Sequence, residues 1–218
     1  MIQSFGWSSI EFLLHGLLWT AVLSVVTFIG GGFFGLIFAL MRALGPRWLQ
    51  MIVASYIQLV QATPLLIVVF LAYYGLSFLG LYFPPLAAAA ISLTIYATAF
   101  LADIWRGCIE AIPRTQWEAA DALALGPVQK LRYVILPQAF RIALGPTVGF
   151  MVQIVKNTSV TALIGFVELT RAGQLLNNMT FQPFHVFLAV AVIYFLVCYP
   201  LSLWSETLKE RRSARAAH

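Results

Sequence analysis

The sequence predicts an all-α integral membrane protein with five transmembrane helices. Of its residues, 61% are hydrophobic and only 10% are charged, whereas a soluble domain carries about a quarter charged residues. Three stretches, 12–41, 48–102 and 172–205, contain no Asp, Glu, Lys or Arg. About 20 apolar residues are enough for a helix to cross the hydrocarbon core, so each stretch is long enough to span a membrane.

The 48–102 stretch is too long for one span and is interrupted by Gly75, Gly80, Pro84 and Pro85, which favour a helix end and a turn. Dividing that stretch gives four spans, and we predict a fifth at 137–158, which lies outside the charge-free stretches. The five spans are 11–41, 48–79, 85–109, 137–158 and 183–208. We interpret the whole chain, 1–218, as a single membrane domain with its core at 12–208, a polar connection at 113–136 and a basic tail at 209–218.

Small residues mark two of these spans. The first contains GGGFFG at 30–35, and the third carries Ala88, Ser92, Ala97 and Ala99. In lipid, small side chains allow helix backbones to approach closely, and successive glycines also permit a bend. We expect these residues to serve helix packing rather than binding.

The basic residues predict the orientation of the spans. Counted over the five spans, eleven of the thirteen Lys and Arg residues fall on one side of the membrane. They are Arg42, Arg47, Arg106, Arg114, Lys130, Arg132, Arg141, Lys209, Arg211, Arg212 and Arg215. The positive-inside rule makes that side cytoplasmic. This predicts a multi-pass protein of the inner (plasma) membrane with its N-terminus outside and its C-terminus in the cytoplasm.

The 113–136 connection is amphipathic and therefore faces water. Its first half, 113–125, has helical spacing of Trp117 and Ala120, and Pro113 suits a first turn. Gly126 and Pro127 are expected to close this helix and start a second one that ends before Pro137 opens the fourth span. A simple connection needs only about four residues, so the segment is built to press against another protein. The alternative is a helix resting on lipid headgroups.

Several motifs resemble one family. The sequence Glu118-Ala119-Ala120, followed by VILP at 134–137, resembles the EAA loop of binding-protein-dependent ABC importer permeases. The flanking text resembles the polar amino acid subfamily over about residues 12–212. The matching segments are QATPLL at 61–66, FLADIWRGCIEAIPRTQWEAA at 100–120, VILPQAFRIALGP at 134–146, VKNTSVTALIG at 155–165 and LKERR at 208–212.

This resemblance implies the type I ABC importer permease fold, with cytoplasmic coupling (EAA) helices between the third and fourth spans. It implies four kinds of partner: a second permease chain, identical or homologous; two ATP-binding subunits; a periplasmic or lipid-anchored solute-binding protein; and membrane lipid. The expected function is movement of a polar amino acid into the cytoplasm by alternating access. The particular solute stays open.

In the family, the EAA helix inserts into a groove of the ATP-binding subunit. Carried onto this chain, the residues expected to couple to the ATPase are Trp117, Glu118, Ala119, Ala120, Asp121, Ala124, Leu125 and Gly126. The family has Gly six residues after the Glu, where this chain has Ala124. We interpret this departure as a turn moved slightly later, to Gly126-Pro127.

Polar residues within the apolar spans are candidates for the solute pathway, because they are otherwise costly there. They are Gln58, Gln61, Thr63, Tyr96, Thr98, Asn157, Thr158 and Ser159. Amide and hydroxyl groups can serve both the ammonium and the carboxylate of an amino acid. The alternative for each is an interhelical hydrogen bond. The family usually has Asp where this chain has Asn157, which favours neutral or acidic solutes over cationic ones.

Three charged residues near the spans have structural interpretations. Asp103 and Arg106, at i and i+3, are expected to form a structural ion pair. Lys156 is expected to snorkel or to support structure, with a counter-ion for an anionic solute as the alternative.

The sequence contains no GxxxxGK[ST] phosphate loop, so we expect no catalytic residues and no cofactor in this chain. ATP and Mg would bind to the partner ATPase. Cys108 and Cys198 lack metal-ligand spacing, so no metal site is expected, and no nucleic-acid partner either. The rival interpretations are a secondary (ion-coupled) transporter or channel component, and an intramembrane enzyme. An even-numbered bundle with inverted repeats would favour the former, and paired intramembrane acids the latter.

Overall fold

The computed structural model describes the backbone of residues 6–216 and the side chains of residues 6–210. Every regular element in that part of the chain is helical, which confirms the predicted all-α class. The α-helices are α1 Trp7–Leu44, α2 Arg47–Ala62, α3 Leu65–Phe70, α4 Leu76–Phe78, α5 Pro85–Glu110, α6 Arg114–Ala122, α7 Pro127–Gln129, α8 Leu136–Asn157, α9 Leu169–Thr180 and α10 Pro183–Ala216. Two π-helical segments, Leu71–Gly75 and Lys130–Ile135, and a 3-10 helix, Thr158–Ile164, connect some of them.

Four continuous helical stretches in residues 6–216 are long and apolar enough to cross a membrane. They are Trp7–Leu44, Pro85–Glu110, Pro127–Ile164 and Pro183–Glu210. A fifth candidate, Arg47–Ala62 with Leu65–Phe78, is bent by 105°. The number of spans is therefore four, or five if the bent pair crosses the membrane as one unit.

The bend in the second predicted span, 48–79, occurs at Thr63-Pro64. Pro64 has no N–H to donate to a helix, and its ring disfavours helical backbone in the residue before it. Thr63 accordingly adopts an extended conformation, with φ −98° and ψ 129°. The sequence prediction of this span contained no bend, although Pro64 was the signal for one.

The second helix of the polar connection was predicted to end before Pro137, and this prediction is wrong. The helix runs without a break from Pro127 to Ile164. Pro137 cannot donate to the preceding turn, and its ring crowds the carbonyl four residues earlier. The wider π-helical segment Lys130–Ile135 lies directly before it and accommodates this defect. The second half of the polar connection, from Pro127 onward, and the fourth predicted span are therefore parts of one helix.

The connection between the fourth and fifth predicted spans contains a helix, α9, that the sequence did not lead us to predict. The carboxylate of Glu168 caps α9 by accepting hydrogen bonds from the backbone N–H groups of Thr170 and Arg171. Leu169, Ala172 and Leu176 then bury one face of α9 against α1 and α10. Their helical spacing was the available signal.

The centre of the bundle is α5, which packs against α1, α2, α3 and α8. Contact with α1 is especially close at Gly31, where an added Cβ would lie 2.5 Å from the Cβ of Ala97. The expected packing role of the GGGFFG segment therefore agrees with the structure. At the far end of the chain, α10 continues past the predicted limit of 208. The side chains of Arg211, Arg212 and Arg215 in the basic tail lie outside the described residues, as do residues 217–218.

Candidate coupling surface and solute pathway

The helix α6 lies between the end of α5 and the start of the 127–164 helix, outside the candidate spans. Its inner face packs through Trp117, which is half-buried against Ile109, Ile112 and Ile135. One helical turn away, Ala120 is only 1% exposed. This apolar contact seats α6 on the two helices that flank it.

Two polar contacts fasten α6 to the beginning of the 127–164 helix. The ammonium of Lys130 forms an ion pair with Asp121, and Nε2 of Gln138 donates to Oε1 of Gln116 at 3.1 Å. Exposed ion pairs contribute little stability on their own. Together with the packing of Trp117, however, these contacts give α6 a fixed position relative to the 127–164 helix.

The outer face of α6 combines one carboxylate with apolar surface. Glu118 and Ala119 are exposed on α6, and Leu123 and Val128, which follow it, are 74% and 76% exposed. Large apolar side chains exposed together outside the spans are typical of a protein interface. We call these four residues the coupling surface. Of the other residues expected to couple, Asp121 and Ala124 are exposed, whereas Leu125 and Gly126 are half-buried.

The turn after α6 corrects the prediction made for Ala124. The N–H of Ala124 donates to the carbonyl of Asp121 at 2.9 Å, and that of Leu125 to the carbonyl of Ala120 at 3.2 Å. These two bonds form a Schellman motif, in which the residue after the cap is left-handed and usually Gly. Ala124 takes this conformation with φ 52°. Gly126, with φ −63°, does not. The turn has therefore not moved, and Ala124 adopts the strained conformation itself.

The candidate pathway residues fall into three groups by exposure. Gln58 and Gln61 are exposed on α2; Thr63, Tyr96, Asn157 and Ser159 are half-buried; and Thr98 and Thr158 are buried within the subunit. Several already use their hydroxyl groups locally. Thr63, Thr158 and Ser159 each donate to a backbone carbonyl three or four residues earlier, at 2.7–2.8 Å.

Tyr96 brings part of this set together. It packs against one cluster that includes Ile57 of α2 and against another that includes Ile154 of α8. Asn157 lies at the end of α8, and its Oδ1 accepts from Nε2 of Gln153 at 3.0 Å. Among the described residues, the buried Nδ2 of Asn157 has no hydrogen-bond partner. The Asn157 side chain also lies beside the hydroxyl of Tyr96, which brings these two candidates together.

Gln153 is a pathway candidate that the sequence analysis missed. It is exposed one turn before Asn157 on α8, in a helix otherwise rich in apolar residues. An exposed amide in the middle of an apolar helix was the available signal. Lys156, three residues further on, is also exposed, so Gln153, Lys156 and Asn157 give one end of α8 a polar surface.

The charged residues at the α6 end of the bundle form a small network. Arg106 donates to Asp103 at 3.0 Å and also pairs with Glu110. Arg42 approaches Asp103 to 3.6 Å from α1. The expected pair of Asp103 and Arg106 is thus present, and Arg42 extends it so that it joins the ends of α1 and α5. Among residues 6–210, no group of three His, Cys, Asp or Glu side chains is placed to hold a metal ion.

Comparison with known proteins identifies the family. The sequence profile of the binding-protein-dependent transport system inner membrane component matches residues 31–214. The chain belongs to this family. The probable glutamine ABC transporter permease protein GlnP of Bacillus subtilis (strain 168) is 31% identical over 215 residues, which are 97% of this chain and 99% of that protein. The glutamine transport system permease protein GlnP of Escherichia coli (strain K12) is 32% identical over 207 residues, with 94% of each chain covered.

A solved structure agrees with the assignment to the inner membrane component family. The crystal structure of an amino acid ABC transporter with histidines superposes with a TM-score of 0.87 and 30% identity, over 92% of this chain and 94% of that one. The type I ABC importer permease fold expected from the sequence is therefore confirmed. Membership makes the chain a multi-pass inner membrane protein that works in a complex with ATPase and binding-protein partners. The comparisons do not favour a secondary transporter.

Proposed function

We propose that this chain forms the membrane pathway of an ATP-driven importer and carries a polar amino acid into the cytoplasm. The observation that carries this proposal is the coupling surface. It lies outside the candidate spans, on a helix that is packed and ion-paired onto the 127–164 helix. Two relatives that align over nearly the whole chain are described as glutamine permeases, which supports an amino acid as the solute.

The proposed complex contains two permease chains, identical or homologous, two ATP-binding subunits and one solute-binding protein. ATP and Mg bind to the ATP-binding subunits, and this chain performs no chemical reaction. The bent pair α2–α4 counts as one span, which gives five spans in total. Support for this count comes from the basic residues, because five spans place eleven of the thirteen on one side. The N-terminus is then outside, and α6 is in the cytoplasm.

The mechanism we propose begins at the ATP-binding subunits. When they close around ATP, they bring the two α6 helices of the complex together. Since α6 is fastened to the 127–164 helix by Trp117, Asp121 and Gln116, a shift of α6 turns or tilts that helix. The same helix carries Gln153 and Asn157 at its other end, so the movement reaches the solute pathway. A solute-loaded binding protein that binds more tightly to the state produced by ATP binding would favour that state. In return, that state of the permease would bind the loaded protein more tightly.

The pathway chemistry suits a zwitterion without a fixed counter-ion. Amide groups of Gln58, Gln61 and Asn157 both donate and accept hydrogen bonds, so they can meet the carboxylate and the ammonium in turn. Weak, exchangeable contacts of this kind allow release as well as entry. Neutral polar amino acids such as glutamine fit this surface better than cationic ones, because Lys156 is nearby and Asn157 carries no charge.

The experiment that tests this function is reconstitution of the chain with its ATP-binding subunit and binding protein in liposomes. Uptake of a panel of radiolabelled polar amino acids, glutamine first, is measured with ATP inside and with a proton gradient alone. The proposal expects uptake that requires ATP and the binding protein together. Uptake driven by the proton gradient in the absence of ATP would overturn it in favour of a secondary transporter.

A further inference from the structure

Glu168 is a buried carboxylate that accepts three hydrogen bonds. Its side chain has no exposed surface. It accepts from the backbone N–H of Arg171 at 2.7 Å, from that of Thr170 at 2.9 Å and from the hydroxyl of Tyr194 at 2.9 Å. Burial raises the pKa of this carboxyl group above its ordinary value. A carboxylate buried at this position is costly unless such donors stabilise it. The folded structure therefore needs these three contacts.

Tyr194 connects this carboxylate to the solute pathway. Its hydroxyl lies 3.0 Å from the hydroxyl of Thr170 on α9 and beside the side chain of Thr158. Thr158 is fully buried and follows Asn157 directly, as the first residue of the 3-10 helix Thr158–Ile164. One hydroxyl group on α10 therefore touches both α9 and the segment that carries pathway residues.

The helix α9 itself has little freedom to move. Its first N–H, from Leu169, donates to Oγ1 of Thr20 on α1 at 3.1 Å. At Gly16 of α1, an added Cβ would lie 2.8 Å from the Cβ of Ala172, and at Gly173 of α9 it would lie 2.7 Å from Val190 of α10. Since α9 is in close contact with both neighbours, it provides a rigid support for Tyr194.

We propose that Glu168 and Tyr194 are positioning residues for transport, which hold the Thr158–Ile164 segment, and with it Asn157, in register with α10. We call Glu168, Tyr194 and Thr158 the clasp. This inference rests on the proposed function, since Asn157 is a pathway residue only in a permease. With the clasp intact, α9, α10 and the end of the 127–164 helix move as one body. Without it, the Thr158–Ile164 segment is free to shift while α6 is driven at the other end.

The test removes the one hydroxyl that joins the clasp. A hydrogen bond to a charged group contributes enough for its loss to change an equilibrium by about tenfold or more. Tyr194→Phe is therefore expected to lower the maximal rate of ATP-dependent uptake about tenfold. The rate is measured in liposomes and expressed per permease chain. The binding-protein concentration at half-maximal uptake should not change, because Glu168 and Thr158 are fully buried within the subunit and Tyr194 is half-buried. Tyr199→Phe is the matched control; Tyr199 is an exposed tyrosine on α10 that stacks on Phe195, and wild-type uptake is expected.

Two further variants separate positioning from a general loss of stability. Thr158→Val should also lower uptake, and the loss in the double variant should be smaller than the product of the two single losses, because the two changes share the contact between Tyr194 and Thr158. Losses that multiply in the double variant would overturn the proposal. Glu168→Gln keeps an acceptor oxygen and the shape of the side chain, so it should show a smaller loss in the same maximal rate, and it tests the clasp if Tyr194→Phe does not fold.

The clasp and the proposed function can fail separately. If the wild-type complex shows no ATP-dependent uptake, the proposed function is wrong. If the wild type imports solute, and Tyr194→Phe imports it at the same rate and abundance, only the clasp is wrong.

Discussion

Substitution of Gly31 is expected to break the closest contact between α1 and α5. A Cβ added there would lie 2.5 Å from the Cβ of Ala97 and 3.3 Å from the backbone N of Thr98. Carbon atoms in ordinary contact are about 3.5–4.0 Å apart. Because the opposing atoms are backbone and Cβ, no side-chain rotation can relieve the overlap. Gly31→Ala must therefore move the two helices apart by about 1 Å.

The size of the effect follows from two opposing contributions. Overpacking of this kind costs about 1–3 kcal/mol. Ala favours a helix interior over Gly by about 1 kcal/mol, which offsets part of that cost. Gly32→Ala gains the same helix propensity without the overlap, because its Cβ would lie 3.7 Å from the nearest atom, Cη2 of Trp105. The difference between the two variants is thus the packing cost alone, about 1–3 kcal/mol.

Thermal unfolding of both variants in mild detergent measures this difference. For a chain of this size, 1 kcal/mol corresponds to about 2–4 °C in Tm. Gly31→Ala is expected to unfold at a lower temperature than Gly32→Ala by at least that amount. Equal unfolding temperatures would refute the close approach of α1 to α5 at this position.

Two other residues give predictions of stability. Ala124→Gly should stabilise the end of α6, because a left-handed conformation costs an L-residue about 1–2 kcal/mol, whereas the extra chain entropy of glycine offsets only about 0.5–1 kcal/mol of that gain. Amide hydrogen exchange of residues 114–122 should therefore slow. Equal or faster exchange would contradict the left-handed conformation of residue 124. Burial raises the pKa of the Glu168 carboxyl group above its ordinary value of 4.5, so the folded state binds a proton there more tightly than the unfolded chain does. The resulting stabilisation is present below that ordinary value and is lost as pH rises through the raised pKa. Over this pH range, the wild type should lose stability relative to Glu168→Gln. Parallel pH profiles of Tm for the two proteins would refute the raised pKa of Glu168.

The sequence predicted the helices whose apolar composition marks them as spans. It did not predict features that arise from contacts between residues far apart in the chain. Charge-free stretches indicated four of the five predicted spans because charged residues are costly within lipid. Pro137 misled the prediction, because a π-helical segment absorbs a proline that would end an ordinary helix. The helix α9 was missed because Leu169, Ala172 and Leu176 form a face that is buried only by the distant α1 and α10.

The candidate site shows the same division. The local pattern around Glu118 was enough to predict a helix outside the spans. The position of the turn, at Ala124, became evident only from the backbone of the structure. The ion pair of Asp121 with Lys130 was not predicted, because it joins residues nine positions apart across that turn. The partners of Tyr194 come from two separate elements, α9 with its cap Glu168 and the 3-10 helix Thr158–Ile164, so no sequence spacing could have indicated them.

The most direct test of the central claim is the amount of solute imported per ATP hydrolysed when the coupling surface is altered. Glu118→Lys reverses the charge on the exposed face of α6, and Glu206→Lys, which reverses an exposed charge on α10, is the matched control. In the reconstituted complex, we expect Glu118→Lys to abolish uptake while the permease still inserts into the membrane, and Glu206→Lys to retain wild-type coupling. Wild-type import per ATP in Glu118→Lys would show that α6 does not transmit the force of the ATPase.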